Sequence, residues 1–208
     1  MRDNILENAL QVFLEYGYEN ASMRKIAARA GITPGAIYKH FSGKEEMFQV
    51  IFENCGQELL KLTDSMLCQN LQELSDKQLI QIFYSRMSVK TFETLESKFA
   101  LYHILLNNDT GRYMSRLKDE YIGKCIGFLK EFYDELYKRG LAKKTLSLQT
   151  IRLLSLTEFS SICEIIMKNP MTEGITEEFK QAFMEEMNII LYGLEVELGI
   201  DRGLLTEE

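Results

Sequence analysis

Between Ala21 and Lys44 the chain reads ASMRKIAARAGITPGAIYKHFSGK, and this short run has its helix boundaries written into it. Met23, Ile26, Ala27 and Ala30 recur at the spacings of three and four that define one helical face. Gly31 follows where a left-handed C-terminal cap needs a residue without a Cβ. Thr33 before Pro34 is the order of an N-cap and a first helical residue, because the hydroxyl accepts an orphan N–H and proline has none to lose. Ile32 and Ile37 are spaced to close over that cap as a hydrophobic staple, and the second helix is expected from Pro34 to about His40. So short a connection forces a sharp helix-turn-helix. Ser42, Gly43, Lys44 and Glu45 read as a capping box that opens the next helix. The stretch also holds five Lys or Arg residues (Arg24, Lys25, Arg29, Lys39, Lys44) and His40, with no Asp or Glu, in a chain of net charge -7.

The longer run from Ile5 to Phe48, ILENALQVFLEYGYENASMRKIAARAGITPGAIYKHFSGKEEMF, resembles the DNA-binding domain of the TetR family of transcriptional regulators. The likeness covers the first quarter of the chain. It implies that the helix beginning at Pro34 enters a DNA major groove, with Thr33, Tyr38, His40 and Lys44 where the family usually contacts the backbone. Gly35, Ala36 and Lys39 fall where it usually meets bases.

Residue chemistry alone supports a similar sorting. Pro34, Gly35 and Ala36 have almost no side-chain bulk, so the backbone can approach a duplex closely and offer Ala36 to a thymine methyl. Tyr38 and Lys39 are long enough to reach phosphates or base edges. Lys44 at the start of the following helix adds its charge to that helix's dipole to hold a phosphate, with Ser22 and Arg24 doing so on the other side. Base choice then falls to Ala36, Tyr38, Lys39 and Thr33. Each has a plainer reading: a basic run is an ordinary solvated face, Tyr38 is half core, and His40 is a hydrogen-bonded surface group.

Outside the basic stretch the balance is acidic, with 19 of the 24 basic residues set against all 31 acidic ones. An acidic body is repelled by DNA except where the basic face docks, which lowers non-specific binding. Two prolines, no alternating strand pattern and 46% hydrophobic residues point to an all-α chain of about nine helices. Residues 1–47 are expected to form the helix-turn-helix domain and 48–208 a helical ligand-binding and dimerisation domain. Nothing in the sequence reads as a signal peptide or membrane span, so the expectation is a cytoplasmic protein without membrane contact. Cys55, Cys68, Cys125 and Cys163 are scattered and read as buried free thiols, with neither a metal site nor a cofactor indicated.

Along the chain, Asn4 or Asp3 is placed to cap a first helix with Ile5, Ala9, Val12, Phe13 and Tyr16 as its stripe, ending at Gly17. The helix opened at Ser42 should continue past Phe52, Leu59 and Leu62 toward Leu67 and link the two halves. Gly56 inside it marks either a bend or a close approach to a neighbour. Further helices are expected from Ser75 to about Val89, from Thr94 to the NNDTG break, from Arg112 to Arg139, from Leu148 to Lys168 and from Thr176 to Leu198. The Leu148–Lys168 helix is apolar nearly all round, which requires cover on both sides. A second subunit is the economical cover, giving an intersubunit four-helix bundle with the last helix, as the family resemblance also implies. Two-fold symmetry would set two reading helices about 34 Å apart on a palindromic site.

The middle helices are rich in aromatic and methionine side chains. Tyr84, Met87, Phe99, Tyr102, His103, Phe128, Phe132, Phe159 and Met167 line an effector pocket if the resemblance holds, or simply fill a core. The function expected is a dimeric transcriptional repressor released from double-stranded DNA by a small hydrophobic or aromatic effector. The alternative is a DNA-binding structural or cell-division factor of the same fold without a small ligand. An enzyme is disfavoured: there is no H-E-x-x-H, Gly-rich phosphate loop or G-x-S-x-G, and the two histidines lie far apart in sequence.

Overall fold

The computed structural model describes residues 1–67, 70–85, 96–108, 112–170 and 174–201. They form nine α-helices and no strand: α1 (Arg2–Asn20), α2 (Met23–Ala30), α3 (Pro34–Ile37), α4 (Lys44–Leu67), α5 (Asp76–Ser85), α6 (Phe99–Asn108), α7 (Arg112–Lys138), α8 (Leu148–Lys168) and α9 (Glu177–Leu198), with a 3-10 turn at Leu71–Glu73. The all-α expectation and the helix number hold for these residues.

Most boundaries sit where local chemistry put them. Ser22, Thr33, Ser147 and Thr176 each accept a backbone N–H as N-caps of α2, α3, α8 and α9, and Gly31 and Gly199 close α2 and α9 in the left-handed conformation. Ser75 and Gln78 exchange bonds as a capping box ahead of α5. Three expectations are corrected. The first helix has no side-chain cap from Asp3 or Asn4, its N-cap being Met1. Gly17 takes φ 76 inside α1, but one further turn follows to Asn20, and the Ala21 N–H bonds back to the Gly17 and Tyr18 carbonyls. Tyr16 leaves the core stripe and is 41% exposed. Val89 and Thr94, where two helix boundaries were expected, lie outside the described residues.

Ile5, Ala9, Val12 and Phe13 of α1 pack with Ile26, Ile37, Phe41, Met47 and Phe48 into one core. That core is not closed by the amino-terminal helices alone. Ile104 and Leu105 of α6 are buried in it, and Tyr113, Met114 and Leu117 of α7 pack against it. A chain of ring contacts runs the same way, from Tyr18 to Phe48 (4.7 Å), Phe48 to Phe52 (6.5 Å) and Phe52 to Tyr113 (5.8 Å). Gly56 is the close approach rather than the bend: a Cβ there would lie 3.1 Å from Leu117 Cδ1, and α4 stays helical through it. Lys124 of α7 then ties to Asp64 of α4 at 2.6 and 2.8 Å.

The body has its own cores. Leu79, Ile80 and Phe83 of α5 meet Leu129, Phe132, Tyr133 and Leu136 of α7, Ile151 of α8 and Leu198 of α9. Arg139 pins the 3-10 turn to this core, donating to the carbonyls of Leu71 (2.9 Å), Gln72 (3.2 Å) and Leu74 (2.6 Å) while Glu135 holds its Nε at 2.6 Å. A third cluster joins Phe99 of α6 to Ile165 and Ile166 of α8 and Phe183 and Met187 of α9.

Candidate nucleic-acid interface

The α2–α3 turn is held rigid from inside. Ile26, Ala27 and Ile37 are buried, and Ile32 packs against the same cluster, so the staple across the α3 cap is present. The Gly31 and Ile32 N–H groups close on α2 carbonyls. The Thr33 Oγ1 accepts from the Ala36 N–H at 3.3 Å, which leaves its own proton free to donate outward. Regular helix ends at Ile37, shorter than expected, yet His40 and Phe41 still donate to the Ile37 carbonyl, so the segment continues as tight turns to Phe41.

From this scaffold Thr33, Pro34, Gly35, Tyr38 and Lys39 are exposed, while Ala36 and His40 are half-buried. Tyr38 is 56% exposed, which removes its core reading. A Cβ at Gly35 would meet only Thr33 Oγ1, at 4.0 Å, so the fold does not need glycine there.

The basic residues divide into those already engaged and those free. Arg29 pairs with Glu15 at 2.6 Å. Lys25 donates to the Asn20 carbonyl at 3.1 Å and lies 4.0 Å from the centroid of Tyr16. Lys44 donates to the carbonyls of Tyr18 (2.9 Å) and Glu19 (3.1 Å) and sits 4.4 Å from the Tyr18 ring centroid. Its ammonium thus fastens the last turn of α1 to the first turn of α4. The side chains of Arg24, Lys39, Tyr38 and His40 make no hydrogen bond or ion pair among the described residues. Ser22 is exposed and spends its oxygen on the Lys25 N–H at 3.3 Å.

The capping box at the start of α4 uses a different carboxylate from the one expected. Glu46, not Glu45, accepts from the Ser42 N–H (2.7 Å) and hydroxyl (2.8 Å), which hold its carboxyl below the usual range. α4 begins at Lys44, so the residue one turn in is Glu46. Glu45 instead accepts from the Tyr18 hydroxyl, whose ionisation is pushed up first by burial and then by that carboxylate. Sequence reading missed this Tyr18, Lys44 and Glu45 cluster because its members are 26 and 27 residues apart, with no local pattern.

The residues expected to line an effector pocket fall in different places. Tyr84, Phe128 and Phe132 belong to the α5–α7 core, with Phe128 stacked on Phe132 at 5.9 Å. Phe99 belongs to the α6–α8–α9 core, with His103 at 5.7 Å from its ring. Tyr102 bridges that cluster to the amino-terminal core, where burial pushes the Cys55 thiol up to about 11. Phe159 packs on Tyr121 at 5.3 Å, Met167 is exposed, and Met87 lies outside the described residues. An open groove of about 460 Å³ between α8 and α9 is lined by Ser160, Ser161, Glu164, Ile165, Phe179, Ala182, Phe183 and Glu186, and shares none of these nine. Cys55 and Cys125 are buried free thiols and Cys163 a half-buried one; Cys68 is outside the described residues. Among the described residues no cluster could hold a metal ion, and no helix is long and apolar enough to cross a membrane.

The outer faces of α8 and α9 are unusually apolar. Leu153 is 65% exposed, and Ile189, Tyr192 and Val196 (73, 61 and 64%) form one stripe along α9. On the opposite face of α8, Ile151, Phe159 and Ile166 are buried.

Residues 5–51 match the family described as bacterial regulatory proteins, tetR family. SrpR of Pseudomonas putida, an HTH-type transcriptional regulator, is 44% identical over 50 residues, 24% of this chain and 24% of SrpR, so the likeness spans about a quarter of that relative. IcaR of Staphylococcus aureus strain Newman, a negative transcriptional regulator of the biofilm operon icaADBC, is 24% identical over 194 residues, 92% of this chain and 99% of IcaR. The structure of SmeT in complex with triclosan shares the fold with a TM-score of 0.59 at 15% identity, covering 98% of this chain and 93% of that one. SrpR and IcaR are transcriptional regulators rather than enzymes.

Proposed function

We propose that this chain, whose residues 5–51 match the tetR family of bacterial regulatory proteins, is a TetR-family regulator that represses transcription as a homodimer on a palindromic operator and is released by a small hydrophobic or aromatic effector. The observation that carries the DNA half is the surface of the α3 turn: a bulk-free Pro34–Ala36 edge flanked by Tyr38, Lys39 and Arg24, whose polar groups have no partner within the described residues. Thr33, His40, Ser22 and Lys44 supply backbone contacts, Lys44 through whatever hydrogen-bonding capacity remains after its two carbonyls. Residues 1–47 read DNA and 48–208 carry the dimer seam and the effector site.

The dimer half rests on the exposed stripe of α9 and on Leu153, apolar surface that a two-fold partner would cover. Tyr84, Met87, Phe99, Tyr102, His103, Phe128, Phe132, Phe159 and Met167 remain the effector residues we propose, with SmeT's complex a precedent for small-molecule binding on this fold. An effector parted between α5, α6, α7 and α8 would act through α6 and α7, which touch the reading domain at Ile104, Leu105 and Tyr113. A preference of about 3 kcal/mol for the released state shifts the balance more than a hundredfold.

Selection of bound sequences from random duplexes, with the mass of the complex measured by light scattering, tests the proposal. Enrichment of inverted half-sites bound by two chains supports it; an unstructured sequence set or a monomer refutes it. A small-molecule screen read by thermal shift and DNA release separates the effector-controlled repressor from a ligand-free structural factor.

A further inference from the structure

Arg2 lies in the first turn of α1, outside every motif of the helix-turn-helix, yet tertiary packing brings it to the end of the reading turn. Its guanidinium carbon is 5.0 Å from the centroid of the Phe41 ring. Phe41 is 1% exposed and its N–H closes on the Ile37 carbonyl at 3.0 Å, so the ring is fixed to α3. The charge of Arg2 is also felt by Glu46, whose carboxylate is taken up by Ser42. The Arg2 side chain is exposed and has no hydrogen bond or ion pair among the described residues. A guanidinium resting on an aromatic face is oriented without spending its N–H donors, and a planar fork of such donors suits a phosphate.

Three of the five basic residues between Ala21 and Lys44 are engaged with Glu15 or with backbone carbonyls. Arg24 stands free at the start of the helix-turn-helix and Lys39 near its end. We propose that Arg2 is a phosphate-binding residue of the DNA interface, held on Phe41 so that it extends the cationic face beyond the carboxyl end of α3. This rests on the reading of α3 as the DNA-reading element. Because a phosphate contact carries no sequence information, it contributes to binding of any duplex.

The test is fluorescence anisotropy of the full chain with a mixed-sequence duplex several helical turns long, titrated over a range of salt. The wild type is compared with Arg2→Ala, Arg2→Lys and Lys39→Ala, and each variant's melting is recorded. Arg2→Ala is expected to lower affinity roughly fivefold and to shrink the log–log salt slope by about 0.9 for each copy of the residue, while Arg2→Lys restores most of the slope. An unchanged slope in Arg2→Ala overturns the inference, whether affinity holds or falls with early melting. If Lys39→Ala weakens binding and Arg2→Ala does not, this inference alone fails. If the wild type shows no salt-dependent binding, the reading of α3 fails with it.

Discussion

Replacing Gly35 with alanine should move stability and DNA affinity in opposite directions. Gly35 is the second residue of α3, its φ is not positive, and a Cβ would have only Thr33 Oγ1 near it, at 4.0 Å. Nothing inside the protein resists the methyl. Alanine restricts the unfolded chain and favours helix, a gain of about 0.5 kcal/mol for a position in the first turn. For a chain of this length that is a rise in melting temperature of roughly 1–2 °C. In the proposed DNA-bound state the same methyl would stand between the backbone and the groove floor. Holding the turn off the duplex forfeits contacts on the scale of one mismatched base pair, about 1–3 kcal/mol, or roughly five- to hundredfold in affinity. Thermal melting and anisotropy on a selected operator read the two effects separately. Unchanged affinity would refute the placement of Gly35 at the duplex, and a lowered melting temperature would refute the open surroundings around its Cα.

Lys44→Met should cost about 1 kcal/mol and roughly 2–4 °C of melting temperature, because two hydrogen bonds to the end of α1 are lost, and should speed amide exchange near Tyr18 and Glu19; full stability with weakened DNA binding would mean the ammonium serves phosphate alone. Ile189→Glu puts a charge in the exposed stripe of α9 and is expected to yield monomers by light scattering with weak operator binding, whereas a persistent dimer would place the seam elsewhere. Ser155 is buried with its hydroxyl unbonded among the described residues, so Ser155→Ala should stabilise by about 1 kcal/mol in urea titration; a loss would reveal a partner for the hydroxyl. Burial lowers the His103 pKa below its ordinary 6.5, so the unfolded chain takes up the proton first. Stability should therefore fall as pH drops through that value and level off below the depressed folded one, and His103→Gln should flatten the profile below about pH 6.5.

Where a feature depends on neighbours within one or two helical turns, the amino-acid order was enough to read it. The Thr33 cap and the Gly31 terminator are such features, each needing only the right side chain at the right offset. The capping box at Ser42 shows the limit even there: the helix starts at Lys44, which puts Glu46 rather than Glu45 on Ser42, while Glu45 accepts from the Tyr18 hydroxyl of another helix.

The fate of each basic side chain was not legible in the same way. Lys25, Arg29 and Lys44 look equivalent to Arg24 and Lys39 in sequence, and only the packing of α1 against α2 and α4 brings Glu15 and the Tyr18 and Glu19 carbonyls into their reach. Gly56 is likewise a bend or a contact until Leu117 arrives from 61 residues away. Periodicity marks an aromatic as inward-facing without saying which core it enters, so the nine middle-helix residues divide among clusters that sequence could not tell apart. The chain's own order determined an all-helical protein with a rigid, acid-free turn near its start, because capping and periodicity are short-range. Which charges that turn still has to offer, and how the body leans on it through α6 and α7, was decided only by the folded packing, because those contacts join residues that share no local rule.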